Sequence, residues 1–275
     1  MYIQLNTETP IPLSSPHNPI SEAASPPIHE TRLDVPQFPV VQPPIEDPPW
    51  TGWDVVLLSV LSLVAIGFGV IGTAILLRAR SPLVIVVGQV LGYVTVLLLM
   101  YMVLQSRSGG RAAQALRWNW PDQWSHYFLA GIGLHLCLVP FELVIPMPKH
   151  LPLDGFFKTA QDAYLLAGFG IFIAPLFEEI FFRGFLYPVL ARRFGMWPSV
   201  ILTSFAFVAI HTPQLRFSWG PVFIISLVGL TLTIVRAKKK SVACTVLMHM
   251  AYNATIFVFA FIATDGFRHM EKFNP

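Results

Sequence analysis

The sequence predicts an all-α, polytopic transmembrane helix bundle of about seven spans, preceded by a proline-rich N-terminal tail. Two observations carry that fold class. Seven stretches stay apolar over about the 20 residues a helix needs to cross a bilayer. The 275 residues are 54% hydrophobic and only 12% charged, whereas a soluble domain carries about 25% charge. A chain so poor in charge cannot clothe itself in a hydrated surface, and lipid must cover the remainder. A third observation bears on function: ionisable residues interrupt the apolar stretches in the second half of the chain.

Residues 1–50 differ in character from the rest of the chain. Twelve of the 24 prolines fall there, among Ser, Thr, Asn and Glu, with no apolar run long enough to build a core. The expectation is a disordered or extended tail ending at Pro48, Pro49 and Trp50, with residues 51–275 forming the helical domain. The tail lacks the basic and apolar regions of a signal peptide, so the first membrane helix is expected to serve as the targeting signal. Its proline pairs could engage a partner domain, although a plain flexible tail accounts for them.

The spans are predicted near 54–77, 82–105, 124–146, 162–187, 197–213, 218–236 and 242–264. The fifth is short and is expected to be tilted or partly re-entrant. Gly67, Gly69 and Gly72 suit close packing of the first helix. Trp50, Trp53, Trp118, Trp120, Trp124 and Trp197 cluster at segment starts, where an interfacial aromatic belt would put them. Residues 147–161 form the one sizeable loop between spans. More basic residues follow spans two, four and six, among them Arg192, Arg193 and Lys238 to Lys240, than lie on the other side. That bias favours a cytoplasmic N-terminus, in a cell's inner or plasma membrane.

The net charge of +3 reads as cationic loops against lipid head groups. No basic patch is interleaved with exposed aromatics, so nucleic acid is not an expected partner. Cys137 and Cys244 both lie in apolar stretches and read as small buried hydrophobes rather than as a disulfide or a metal knuckle.

Ionisable groups at membrane depth cost roughly 2.5–3.5 kcal/mol each on insertion scales, so clusters of them need a reason. The first is Phe177-Glu178-Glu179-Ile180-Phe181-Phe182-Arg183-Gly184. Glu179 and Arg183 are four apart on one helical face, with Glu on the N-terminal side, the better orientation for an ion pair. Glu178 is turned about 100° from Glu179 and is left free. A free carboxylate in apolar surroundings can act as a proton acceptor. A structural Glu-Arg bridge would explain Glu179 and Arg183 but not Glu178.

The second cluster is Phe207-Val208-Ala209-Ile210-His211, ending span five. A lone His on an apolar helix is commonly structural. The third is His249-Met250-Ala251-Tyr252-Asn253, where the two polar tips share a face about 6 Å apart along the axis. One such pair could simply hold two helices together. Three clusters on three helices argue for a shared site.

In a metal-free reading, Glu178 and His211 activate a water for attack on a carbonyl. His249 and Asn253 donate to the oxyanion that develops. No Ser or Cys stands beside a base as covalent catalysis requires. A three-ligand zinc through Glu178, His211 and His249 is the alternative chemistry, although no H-E-x-x-H motif is present. A non-catalytic scaffold or partner-binding protein, or a proton-coupled transporter, would also retain buried Glu and His.

FEEIFFRGFLYP, FAFVAIH and LMHMAYNA resemble, in order and spacing, the three motifs of the CPBP intramembrane endopeptidases, which include the CAAX prenyl endopeptidases and bacteriocin-processing proteins. The matching positions are Glu178, Glu179 and Arg183; Phe207 and His211; His249 and Asn253. The resemblance covers about residues 160–260 and leaves out the tail and the first two spans. It implies a glutamate-type peptidase with Glu178 and His211 as the water-activating pair and His249 and Asn253 stabilising the transition state. Glu179, Arg183 and Phe207 would support them. It further implies a membrane-associated peptide or protein substrate, with or without lipid modification, and neither metal nor other cofactor.

Overall fold

The computed structural model describes residues 47–79, 81–148 and 155–269. Most of the proline-rich tail, residues 1–46, lies outside the described residues. Seven helices are long and apolar enough to cross a membrane, and no strand occurs among the described residues. The chain is a multi-pass integral membrane protein with an all-α fold.

α1 (Gly52–Leu77) begins where Thr51 and Asp54 form a reciprocal capping box, which satisfies N–H groups that the first turn leaves without partners. Ser81 caps α2 (Pro82–Ser108), and Pro82 takes the first turn, where no N–H is needed. The α2 helix stops at Gly109 in the left-handed region, φ 61°. These two helices form a tight hairpin in which Gly69 of α1 faces Gly88 and Gly92 of α2. A Cβ on Gly88 would stand 2.5 Å from the Val70 Cα, so only glycine permits this approach. Gly67 and Gly72 take no part: a Cβ on either would meet nothing within 4 Å. Asp54 and Arg107, 3.0 Å apart, tie the open end of the hairpin.

After the short α3 (Ala112–Ala115), α4 (Trp124–Val144) leads to the loop before the central helix, α5 (Ala160–Phe194). Cys244 is buried as expected, whereas Cys137 on α4 is exposed on the face turned away from the bundle. The remaining spans are α6 (Met196–His211), α7 (Trp219–Lys239) and α8 (Val242–Ala263). α6 is the short one, 16 residues or roughly 24 Å at 1.5 Å per residue, and a 3-10 turn (Thr212–Leu215) continues it. α8 packs against α4, α5 and α7, while α6 lies between α7 and the second half of α5.

α5 is not a uniform helix. Phe169–Ile173 and Glu179–Leu186 are π-helical, with i→i+5 bonds such as Ala174 N–H to Phe169 O and Tyr187 N–H to Phe182 O. A proline follows each wide stretch, Pro175 and Pro188. Neither proline has an N–H to return to the carbonyl four residues back, and its ring crowds that carbonyl, which opens the preceding turns. π turns of this kind occur often at functional sites. Here they bracket Ala174–Glu178, so Glu178 closes a regular turn and Glu179 opens a wide one.

The main core wraps the aromatic face of α5. Tyr93 of α2 stacks on Phe177 with ring centroids 3.9 Å apart, and Phe177, Phe181 and Phe185 continue the row along α5. Trp50 ends that row, fully buried against Phe185. This corrects its expected place in an interfacial belt. Trp53, Trp120, Trp124 and Trp197 do present their rings outward.

Candidate active site

Three helices bring the motif side chains together near the middle of α5. Glu178 is buried, and Glu179 and Arg183 are wholly so. Arg183 Nη1 donates to Glu179 Oε1 at 2.8 Å, the i, i+4 pair that the helical offset predicts. Glu178 points elsewhere. Its Oε1 faces His211 Nε2 of α6 at 3.7 Å and its Oε2 faces His249 Nε2 of α8 at 3.9 Å.

The two histidines are oriented by different partners. His211 Nδ1 lies 2.8 Å from the Phe207 carbonyl, which can only accept, so Nδ1 carries a proton. In the neutral ring Nε2 is then an acceptor aimed at Glu178. His249 Nδ1 lies 2.8 Å from Glu179 Oε1, again an acceptor. One carboxylate oxygen therefore serves both Arg183 and His249, and Glu179 does more than neutralise the guanidinium. It sets the ring of His249.

Two further donors of Arg183 are met by α7, which carries none of the motifs. Nη2 donates to the Gly229 carbonyl at 3.1 Å and Nε to Thr233 Oγ1 at 3.2 Å. The guanidinium lies over the Phe207 ring at 4.5 Å, a cation–π contact in a desolvated setting. Phe207 also touches His211, at 4.5 Å between ring centroids, and approaches His249 at 6.0 Å. A Phe four residues before the His thus forms the wall on which both histidines and the arginine rest. A Cβ on Gly229 would stand 3.2 Å from the Phe207 ring, so a larger residue there would have to displace that ring by a few tenths of an ångström.

Asn253 is placed differently from the others. Its Nδ2 donates to the Gly170 carbonyl at 2.7 Å, within the first wide stretch of α5. This bond ties α8 to α5 and commits one of the two amide N–H groups in the resting state. Sequence reading overlooked Gly170, Gly229 and Thr233, whose contributions are mostly backbone carbonyls and a common hydroxyl.

Glu178, His211 and His249 are also the donors that zinc would use. A tetrahedral zinc at roughly 2.0–2.2 Å from each ligand holds its donors roughly 3.3–3.6 Å apart. The two gaps here are wider, and among the described residues no group of three His, Cys, Asp or Glu is arranged to hold a metal ion.

Residues 160–255, which contain all three motifs, match the family described as type II CAAX prenyl endopeptidase Rce1-like. This part of the chain is similar to that family, whose description is of an endopeptidase. The chain is 32% identical over 126 residues to an uncharacterized 24.3 kDa protein of Escherichia coli, covering 45% of this chain and 52% of that protein. It is 28% identical over 136 residues to the UPF0177 protein YbdI of Lactococcus lactis subsp. lactis, covering 50% of this chain and 71% of that one. The chain thus spans about half the length of the Escherichia coli relative. No solved structure matches.

Proposed function

We propose that the chain is an intramembrane endopeptidase that hydrolyses a peptide bond of a membrane-associated substrate by attack of water activated by Glu178 and His211. One observation carries this reading: Glu178 Oε1 and His211 Nε2 face each other at 3.7 Å. Both are acceptors when the ring is neutral with its proton on Nδ1. They cannot bond to each other directly without an added proton, and a polar gap wider than 3.5 Å suits a bridging water. Such a water donates one hydrogen to each and turns a lone pair outward. As it attacks the carbonyl carbon, a proton passes to Glu178, which can later return it to the leaving amine.

The charge that develops on the carbonyl oxygen then needs donors. His249 is placed for this role when its Nε2 is protonated. Asn253 contributes its free N–H, or releases the Gly170 carbonyl as substrate enters. The chemistry draws on no metal. The substrate is a peptide or protein presented from the bilayer, with or without lipid modification, and the membrane is the cell's inner or plasma membrane. Most of residues 1–50 act as an appended tail to the helical domain, while the last of them, Asp47 to Trp50, pack against α5.

Comparison of membrane proteomes from cells with wild-type and Glu178→Gln protein tests the reading. At least one terminal fragment is expected to disappear in the variant while its intact precursor accumulates. Identical fragment sets at equal protein levels would sink it.

A further inference from the structure

The segment just before α1 grips the helix that carries the site. Arg192, near the end of α5, donates to the Pro48 carbonyl at 2.7 Å and to the Trp50 carbonyl at 3.1 Å, and stands 3.6 Å from Asp47. The strap so held delivers Trp50 into the core, where its indole Nε1 donates to the Phe185 carbonyl at 2.9 Å. The indole and the Phe185 ring stack at 5.2 Å between centroids, 13° from parallel. Both residues are wholly buried. The contact spans 135 positions in the chain and comes from outside residues 160–255.

The place of this hydrogen bond matters. Phe185 lies in the last turn of the wide stretch Glu179–Leu186, just before Pro188 returns the chain to regular α-helix. Arg183, two residues earlier, pairs with Glu179, and the same Glu179 oxygen holds His249. A buried donor fixed on the Phe185 carbonyl resists the sliding that would convert the wide turn to a regular one. Any such conversion rotates Glu179 and Arg183 relative to α7 and α8, breaking their shared contacts.

We infer that Trp50 is a positioning residue for the hydrolytic site: its indole N–H holds the wide turn of α5 in the register that aims Glu179 at His249. The inference rests on the peptidase reading of the site. It assigns to the strap before the first span a part in the site that its packing alone does not require.

The test replaces Trp50 by 3-benzothienylalanine through stop-codon suppression, which keeps ring shape and stacking but puts sulfur in place of the N–H. Trp50→Phe is the second variant. Full-length proteins are compared for melting temperature in detergent, for deuterium exchange over residues 179–190, and for yield of the fragments that depend on Glu178. For the benzothienyl variant the expected result is exchange that rises over 179–190 only, a melting temperature lowered only slightly by the lost hydrogen bond, and fragment yield lower by about ten- to a hundredfold, the cost of a misplaced reacting group. Trp50→Phe, which also removes buried ring surface, lowers the melting temperature as well. Unchanged exchange overturns the inference, as does a fragment yield that stays normal or falls only in step with melting temperature. Glu178→Gln separates the two ideas, because it should abolish the fragments and leave exchange over 179–190 as in wild type. If Glu178→Gln leaves the fragments in place, the peptidase reading fails and the positioning role falls with it.

Discussion

Glu179 Oε1 holds His249 Nδ1 at 2.8 Å while taking the guanidinium of Arg183 at the same distance. A single buried oxygen thus fixes the relation of α5 to α8. The two adjacent carboxylates meet His249 at different ring nitrogens, Glu179 at Nδ1 and Glu178 opposite Nε2 at 3.9 Å, and only Glu178 also faces His211. Glu179 contacts Arg183 and His249 Nδ1, and Glu178 is left facing both histidines.

Loss of Arg183 should therefore damage the fold before the chemistry. Arg183→Ala leaves Glu179 charged in a buried site and frees Gly229 and Thr233 of their donor, a change that costs about 3–5 kcal/mol. Thermal melting in detergent should show a large drop in midpoint and a poor yield of folded protein. Arg183→Lys should recover little, since one ammonium cannot reach Glu179, Gly229 and Thr233 in the planar fork that all three require.

Glu178→Gln should give the reverse pattern. The amide keeps the shape and is no costlier to bury than a carboxylate, so the melting midpoint should stay near that of wild type. Hydrolysis should fall by roughly 10²–10⁴-fold with the loss of the base. His211→Ala should fall comparably. If both variants complement a deletion fully at normal protein levels, the chain acts as a scaffold and not as a peptidase.

Asn253→Ala has two measurable parts. Removal of one oxyanion donor costs about 10²–10³-fold in turnover. Removal of the bond to the Gly170 carbonyl loosens α8 from α5 at a net cost of about 0.5–1.5 kcal/mol. Turnover loss far larger than the stability loss supports the oxyanion role. Proportionate losses would make Asn253 a helix tie.

Metal content separates the glutamate reading from the zinc one. Purified full-length protein should contain substoichiometric zinc by elemental analysis and should keep its hydrolytic activity in chelator. One zinc per chain, with activity removed by chelation and restored by zinc, would reassign Glu178, His211 and His249 as ligands.

Several features of this protein are determined by the sequence alone because they depend on neighbours within one helix. The seven apolar stretches follow from the cost of placing charge in lipid, and the helices they form end within a few residues of the expected bounds except in α5, which runs on to Phe194. The pairing of Glu179 with Arg183, and the separation of Glu178 from both, follow from residue offsets on a single helix. Contacts between helices follow from crossing angle and rotation, which a string of residues does not encode locally. For that reason Glu179 reaching His249, Thr233 and the Gly229 carbonyl completing Arg183, and Asn253 bonding Gly170 emerge only once packing brings α5, α7 and α8 together. Trp50 is the clearest case. By local pattern it is one of several tryptophans at the start of a span, and only the fold turns its ring inward to the carbonyl of Phe185.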